Sequence, residues 1–418
     1  MKKSKSGGIV KNLILILGAA GILVVLMWGA FVFADRWLHS NAAVSSSDVS
    51  ASDASSLSTP VSLNENSIEI GKGLSFQLTA SGGENIVYRS SDEAIATVDE
   101  SGLVKGAGVG TCTITADNQN GSTADCTVTV KKTCYLTIVD GPTDCTEDIL
   151  AVLKEYDVKA TFFVVNSLKL PVTKKMQEQG CVVGLHSYSH VFKKCYATYY
   201  SYLHGIEMLS EKVEGYTGKH CDLLRFPAGP DTTRCDPLWM RRNLSGAEDL
   251  GYRVFDWTAT TGDTSERASA AFSLKNVKKT CTEDVEIILM HDRSFNVAAL
   301  KKIIPYLRER GYIFATLDLY PEKSYTFQPR YNRDHADLPS KSVSITHKTY
   351  SIYAGGEILL VARMNPEDST DFVRWESSDT SIATVSISGN VKALKKGKVD
   401  IYAITSSGKR GVCHMTVR

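Results

Sequence analysis

The chain has 418 residues, too many for one ordinary domain, so two to four folded units are expected. Its 47 basic and 46 acidic residues leave a formal charge of +1. That balance excludes the one-signed electrostatic footprint of a nucleic-acid binder and suits an uncharged polymer such as a glycan.

Residues 1–12 form a short tail carrying Lys2, Lys3, Lys5 and Lys11. From Leu13 to Ala34 no residue is charged and Leu, Ile, Val, Phe and Ala dominate. As a helix this run is long enough to cross a hydrocarbon core of roughly 30 Å, so a transmembrane helix is expected over 13–35. The basic tail then faces the cytoplasm, and the bulk of the chain lies outside. The alternative is a secreted protein whose signal peptide is cleaved near Val32-Phe33-Ala34, although the apolar run exceeds the usual 7 to 15 or so residues. Residues 36–60 are rich in Ser, Ala, Asp and Thr and bury too little apolar surface to fold, which reads as a flexible linker.

Over 61–131, short alternating runs such as Ser75–Thr79, Thr111–Thr115 and Cys126–Val130 are separated by turn residues, the pattern of a small β-sandwich. The pattern recurs over 341–418, where Trp375–Ala403 aligns without gaps on Tyr88–Ala116. Ser90-Ser-Asp-Glu-Ala-Ile-Ala-Thr-Val98 matches Ser377-Ser-Asp-Thr-Ser-Ile-Ala-Thr-Val385. Both copies resemble bacterial immunoglobulin-like domains of group 2, a resemblance that implies spacing, adhesion or weak glycan binding. Neither gathers ionisable groups in a way that suggests catalysis.

Between the copies, over 132–325, strand-like and helix-like segments alternate. Seven strands are expected, near Tyr135, 160–165, 181–184, 223–224, 252–255, 285–290 and 312–316, with helices such as 147–156 and 297–310 between them. Repeated βα units point to a barrel of parallel strands, whose site is built at the strands' C-terminal ends. Residues 326–340 read as a polar linker. The ten cysteines show no CxxC pair; Cys112 with Cys126, then Cys221 with Cys235, are the most plausible partners, and no pairing is assigned.

Chemistry-bearing residues fall at those strand ends. Thr137-Ile-Val-Asp-Gly-Pro142 ends an apolar run on Asp140, and His186-Ser-Tyr-Ser-His190 follows another with two imidazoles four residues apart. One carboxylate and two histidines make a divalent-metal site that leaves positions for water and substrate. Arg225-Phe-Pro-Ala-Gly229, Asp256-Trp257 and Leu289-Met-His291 follow in order. Five ordered motifs resemble those of the polysaccharide deacetylase family, carbohydrate esterase family 4, with its NodB-like catalytic domain and distorted (β/α) barrel.

The resemblance implies Asp140, His186 and His190 as ligands of a divalent metal, zinc by default, and His291 as the general acid that protonates the leaving amine. Asp256 matches the family residue that holds and tunes this histidine. Pro227, Ala228 and Trp257 are implied in substrate binding, with a backbone N–H of the third motif stabilising the oxyanion. The family's general-base aspartate is replaced by Val139, so Arg225, its usual partner, must find another carboxylate, with Asp256 a candidate. Asp144 and Asp231 are candidate substitute bases.

The expected function is therefore a membrane-anchored, extracytoplasmic, metal-dependent deacetylase acting on N-acetylated cell-envelope glycan, peptidoglycan or a poly-N-acetylhexosamine. The alternative is a weak or inactive relative that serves as a glycan-binding surface module.

Overall fold

The computed structural model describes residues 60–418 apart from 84, 199, 328–331 and 334. The expected tail, membrane helix and linker up to residue 59 lie outside the described residues, among which no helix is long and apolar enough to cross a membrane. Each flanking repeat is a sandwich of a four-stranded and a three-stranded sheet around an aliphatic core. The duplication extends to side-chain detail. Ser90 Oγ donates to Ala96 O at 2.6 Å, and Ser377 Oγ donates to Ala383 O at 2.7 Å.

The barrel begins inside the first sandwich. A single strand, β1 (Thr123–Val139, 17 residues), pairs antiparallel with Gly110–Asp117 in the sandwich, then parallel with barrel strands from Lys132 onward. The boundary expected at 131/132 therefore falls within continuous β-structure. The segment Val130-Lys-Lys-Thr133 contains no Gly, Pro or turn residue to break it, and what changes there is burial: side chains alternate before Lys132 and are all buried from Thr133 to Val139.

The other barrel strands are β2 (Thr161–Val165), β3 (Val182–Ser187), β4 (Leu223–Leu224), β5 (Arg253–Val254), β6 (Ala259–Thr260), β7 (Val285–His291) and β8 (Tyr312–Ala315). All pair in parallel, in the order β5-β4-β3-β2-β1-β7-β6, with β8 alongside Lys132–Tyr135, where β1 enters the barrel. The seven expected strands are present, and β6 is an eighth that is too short to leave an apolar run in the sequence. Two apolar layers follow from the period of two. Tyr135, Val139, Phe163, Leu223, Phe255 and Ile287 fill the interior, whereas Leu136, Ile138, Phe162, Val164 and Ile288 meet the surrounding helices.

The second sandwich is docked on helix α5 (Pro237–Asp249), counting α1 (Thr146–Glu155), α2 (Val172–Glu178), α3 (Phe192–Cys195) and α4 (Ser201–Thr217) before it. Phe372 is fully buried in the barrel's outer core and lies over Gly246, where a Cβ would come within 2.5 Å of the ring. Arg242 Nε and Nη2 donate to Ser369 O (2.8 Å) and Glu367 O (2.6 Å), and Arg241 forks onto Asp337 at 2.8 and 3.0 Å. Residues 335–340 of the expected linker are thus not a loose tether: Ser340 is buried, and its N–H and hydroxyl donate to Asp371. All ten cysteines are free thiols, so neither suggested disulfide is present. Cys112 faces Val128 and Cys126 faces Ile114, which leaves the two thiols diagonal rather than opposite.

Phe372→Ala removes the ring that joins sandwich to barrel and should cost about 3–5 kcal/mol. Urea unfolding of the wild type and the variant measures this as a lowered midpoint; an unchanged midpoint would mean that the contact contributes nothing in solution.

Candidate active site

Asp140 follows the last residue of β1 with φ 67°, a left-handed conformation that an aspartate adopts at a cost and that swings its carboxylate back over the barrel mouth. The loop after it is held by Asp292, a residue the sequence reading missed. Asp292 is 4% exposed; its carboxylate accepts from Thr143 N (3.2 Å), Thr143 Oγ1 (3.0 Å) and Thr146 Oγ1, and its own N–H donates to Val139 O (2.9 Å). Gly141 is required beside it, since a Cβ there would lie 2.3 Å from Asp292 Oδ2. The end of β7 is in this way fastened to the turn that carries Asp140.

His186 comes from the end of β3, and His190 from the turn beyond it, where its N–H donates to Ser187 Oγ at 3.0 Å. His186 Nδ1 lies 2.8 Å from the carbonyl of Arg225, so Nδ1 carries the ring proton and Nε2 presents a lone pair. That lone pair faces Asp140 Oδ1 at 3.2 Å, and His190 Nε2 lies 3.3 Å from the same oxygen. Asp140 Oδ1 is buried with no hydrogen-bond partner. A buried acceptor without a donor is costly unless something positive lies beside it. The three ligand atoms sit within 4.8 Å of one another, so these residues fit a divalent cation. Burial pushes the Asp140 carboxyl up, but the imidazoles of His186, His190 and His291 outweigh it and hold it at about 2. Burial lowers His186 despite the neighbouring Asp140, which keeps the ring neutral as a ligand must be.

Across the mouth, His291 Nε2 lies 3.9 Å from Asp140 Oδ2. Its orienting carboxylate is Asp263, not Asp256 as expected from the sequence. His291 Nδ1 donates to Asp263 Oδ1 and His291 N to Asp263 Oδ2, both at 2.7 Å, and Asn296 Nδ2 adds a third bond at 2.6 Å. Burial raises the Asp263 carboxyl, but the His291 contacts more than offset it and lower it overall. The sequence reading tied the role to the Asp-Trp dipeptide; the available signal was an aspartate after Gly262 just past β6, which pairs with β7 and so lies beside His291.

Asp256 instead accepts from Phe327 N at 2.6 Å through Oδ2, and its Oδ1 is buried without a partner. Arg225 does not find a substitute carboxylate either. It is 1% exposed and donates to Phe255 O (2.8 Å), Asp256 O (2.7 Å) and Thr137 Oγ1 (2.7 Å), with its guanidinium 4.4 Å from the Phe163 ring. Burial lowers Arg225 to about 9. Val139 packs in the barrel's interior layer. Of the candidate substitute bases, Asp144 is ion-paired with Lys169 and 89% exposed, and Asp231 is paired with Arg333. Pro227 is buried and accepts from Tyr196 Oη at 3.0 Å, Ala228 is exposed with φ 60°, and Trp257 lies half-buried with its ring against Phe327.

Burial pushes the Asp256 carboxyl up to about 7, with Phe327 N–H and Arg225 opposing the shift. An unfolded chain ionises this group near about 4, so between about pH 4 and 7 the folded state keeps a proton that the unfolded state has lost, and stability falls as pH rises. Asp256→Asn should remove that fall and stabilise the protein above pH 7. Denaturation midpoints across this range test it, and a variant with the wild-type slope would contradict it.

A polysaccharide deacetylase family model matches residues 127–255. The flanks match an intimin immunoglobulin-like domain at 72–119 and a bacterial Ig-like domain of group 2 at 339–413, so the first copy falls to a different immunoglobulin-like model from the one expected. YheN of Bacillus subtilis (strain 168) is 34% identical over 196 residues, 45% of this chain and 67% of that protein. A peptidoglycan-N-acetylglucosamine deacetylase of Bacillus cereus is 34% identical over 204 residues, 47% of this chain and 71% of that one. The crystal structure of the catalytic domain of peptidoglycan N-acetylglucosamine deacetylase from Eubacterium rectale ATCC 33656 is 29% identical, covers 48% of this chain and 93% of that one, and has a TM-score of 0.45. Identity of this degree over two thirds and more of a relative's length means that the chain belongs to the polysaccharide deacetylase family, carbohydrate esterase family 4, with an immunoglobulin-like domain on each side of its barrel.

Proposed function

We propose that this chain is a membrane-anchored, extracytoplasmic, metal-dependent deacetylase that hydrolyses N-acetyl groups of cell-envelope glycan, peptidoglycan or a poly-N-acetylhexosamine. The observation that carries this reading is the unpartnered Asp140 oxygen facing the His186 and His190 nitrogens, with His291 opposite. A divalent ion held there, zinc by default, would polarise the acetyl carbonyl and activate water near neutral pH. The proposed place at the membrane rests on the apolar run of 13–34 and the lysines before it.

The chain's own groups supply the rest. Asp263 fixes the His291 ring through Nδ1, so that Nε2 is presented to the site and can deliver a proton to the departing amine nitrogen. Asp292 keeps the Asp140 turn in register with His291. Arg225 ties β1, β4 and the end of β5 together through Thr137 and two carbonyls, a clamp rather than a partner for a base.

Val139 supports a second reading, in which the barrel binds glycan and turns it over slowly or not at all. An isopropyl group accepts no proton, and a general base typically contributes a factor of about 10² to 10⁴.

Acetate release from chitooligosaccharide and from peptidoglycan, measured with full-length protein and added metal, separates the two. On the deacetylase reading the wild type turns over, His291→Ala abolishes acetate release, and Val139→Asp raises it by up to roughly 10²-fold. A wild type without turnover that Val139→Asp rescues would favour the binding module. Metal content gives an independent check: Asp140→Ala should lower bound metal sharply, and unchanged stoichiometry would count against the ligand set.

A further inference from the structure

The balanced charge of the whole chain conceals a local surplus beside the barrel mouth. Arg234 lies on the loop between β4 and α5, exposed to solvent, with its guanidinium carbon 5.1 Å from the centre of the Phe192 ring. Phe192 in turn meets His190 edge to face at 5.6 Å and stacks on the buried Tyr196 at 6.4 Å. Tyr196 Oη donates to the Pro227 carbonyl at 3.0 Å, which ties this stack to the third-motif loop. The Arg234 backbone is held as well, its N–H donating to Thr232 Oγ1 at 3.1 Å. Among the described residues Arg234 forms no ion pair, and neither do the exposed Lys193 and Lys194 of α3. The two carboxylates of the loop are engaged elsewhere: Asp231 pairs with Arg333, and Asp236 caps α5 by accepting from Leu238 N and Trp239 N. Lys193, Lys194, Arg234 and Arg333 thus outnumber Asp231 and Asp236 on this side of the mouth.

We propose that Arg234 is a specificity-determining residue of the barrel site: it recognises a carboxylate on the glycan or on its appended peptide, and so favours peptidoglycan over an uncharged poly-N-acetylhexosamine. The proposal rests on the deacetylase reading and chooses between the two substrates which that reading leaves open. A guanidinium presents N–H donors in a planar fork that matches a carboxylate, and one already held against a ring loses less freedom on binding. Attraction to the ring quadrupole neutralises no charge, so the cation stays available to an anion. Only the Phe192 ring separates Arg234 from His190, so a substrate whose acetyl group reacts at the centre reaches Arg234 with an adjoining sugar or a peptide branch. An uncharged sugar at the same place gains no Coulomb attraction.

Full-length protein with added metal is assayed for acetate release from soluble peptidoglycan fragments and from the same fragments with their carboxylates methyl-esterified. Fragments stripped of peptide by an amidase form a third arm, which tells a lactyl carboxylate from a peptide one. The preference is the ratio of kcat/KM on untreated over esterified fragments, a ratio that a general loss of folded protein does not move. Arg234→Gln should lower it roughly fivefold, the upper range for a solvent-exposed ion pair, through KM rather than kcat. Arg234→Lys should keep part of it, and about 0.5 M salt should erase it in the wild type. A preference unchanged in Arg234→Gln, or equal losses on both substrates, would overturn the proposal. Failure of the deacetylase reading shows separately, as absent acetate release from every substrate. Calorimetric affinity for the untreated fragments then reports Arg234 by itself, and equal affinities of wild type and Arg234→Gln would rule out the carboxylate contact.

Discussion

A buried carboxylate oxygen set against two imidazole nitrogens is the constraint on which the barrel site depends. Asp140 Oδ1 is a buried acceptor without a donor, which is costly to hold by itself. Its supports lie behind it: the His186 ring is held by the Arg225 carbonyl, the His190 backbone N–H by Ser187 Oγ, and the Asp140 turn by Asp292. Bonds elsewhere in the fold hold these groups in a geometry that fits a cation. In this sense the centre is preorganised, and the supporting bonds matter as much as the ligands.

Close packing extends outward from this centre. The first sandwich is continuous with the barrel through β1, and Lys72 and Lys132 converge on Asp284 at 3.1 and 3.2 Å beside the crossover. The second is joined by a buried aromatic ring and an arginine that donates to two backbone carbonyls. Neither junction has the loose, polar character expected of a tether between independent domains. The barrel and both sandwiches are thus joined through a shared strand and buried contacts.

The replacement at Val139 has a structural consequence beyond the missing proton acceptor. Arg225 remains buried, and its N–H groups are satisfied by carbonyls, by Thr137 and by the face of Phe163. Burying a guanidinium is costly, and the downward shift of Arg225, only partly offset by the nearby Asp256, expresses that cost. Valine keeps the interior layer apolar and closed, so the loss of the carboxylate leaves the fold intact while changing what the mouth of the barrel can do.

The sequence by itself determined the duplication of the sandwiches, the parallel barrel and the choice of Asp140, His186 and His190, which the fold brings together in a cluster that could hold a metal ion. These are legible because strand periodicity and strand-end carboxylates and imidazoles are local patterns that survive in one dimension. Tertiary structure alone decided which carboxylate meets His291. Asp256 and Asp263 are both plausible by position, and only the parallel pairing of β6 with β7 brings Asp263 alongside. It alone made Asp292 a fastening, through bonds spanning about 150 residues of sequence that no spacing rule encodes. It also erased the domain boundary at 131/132, because a strand ends where its backbone partners end, and both sandwich and barrel supply partners to β1.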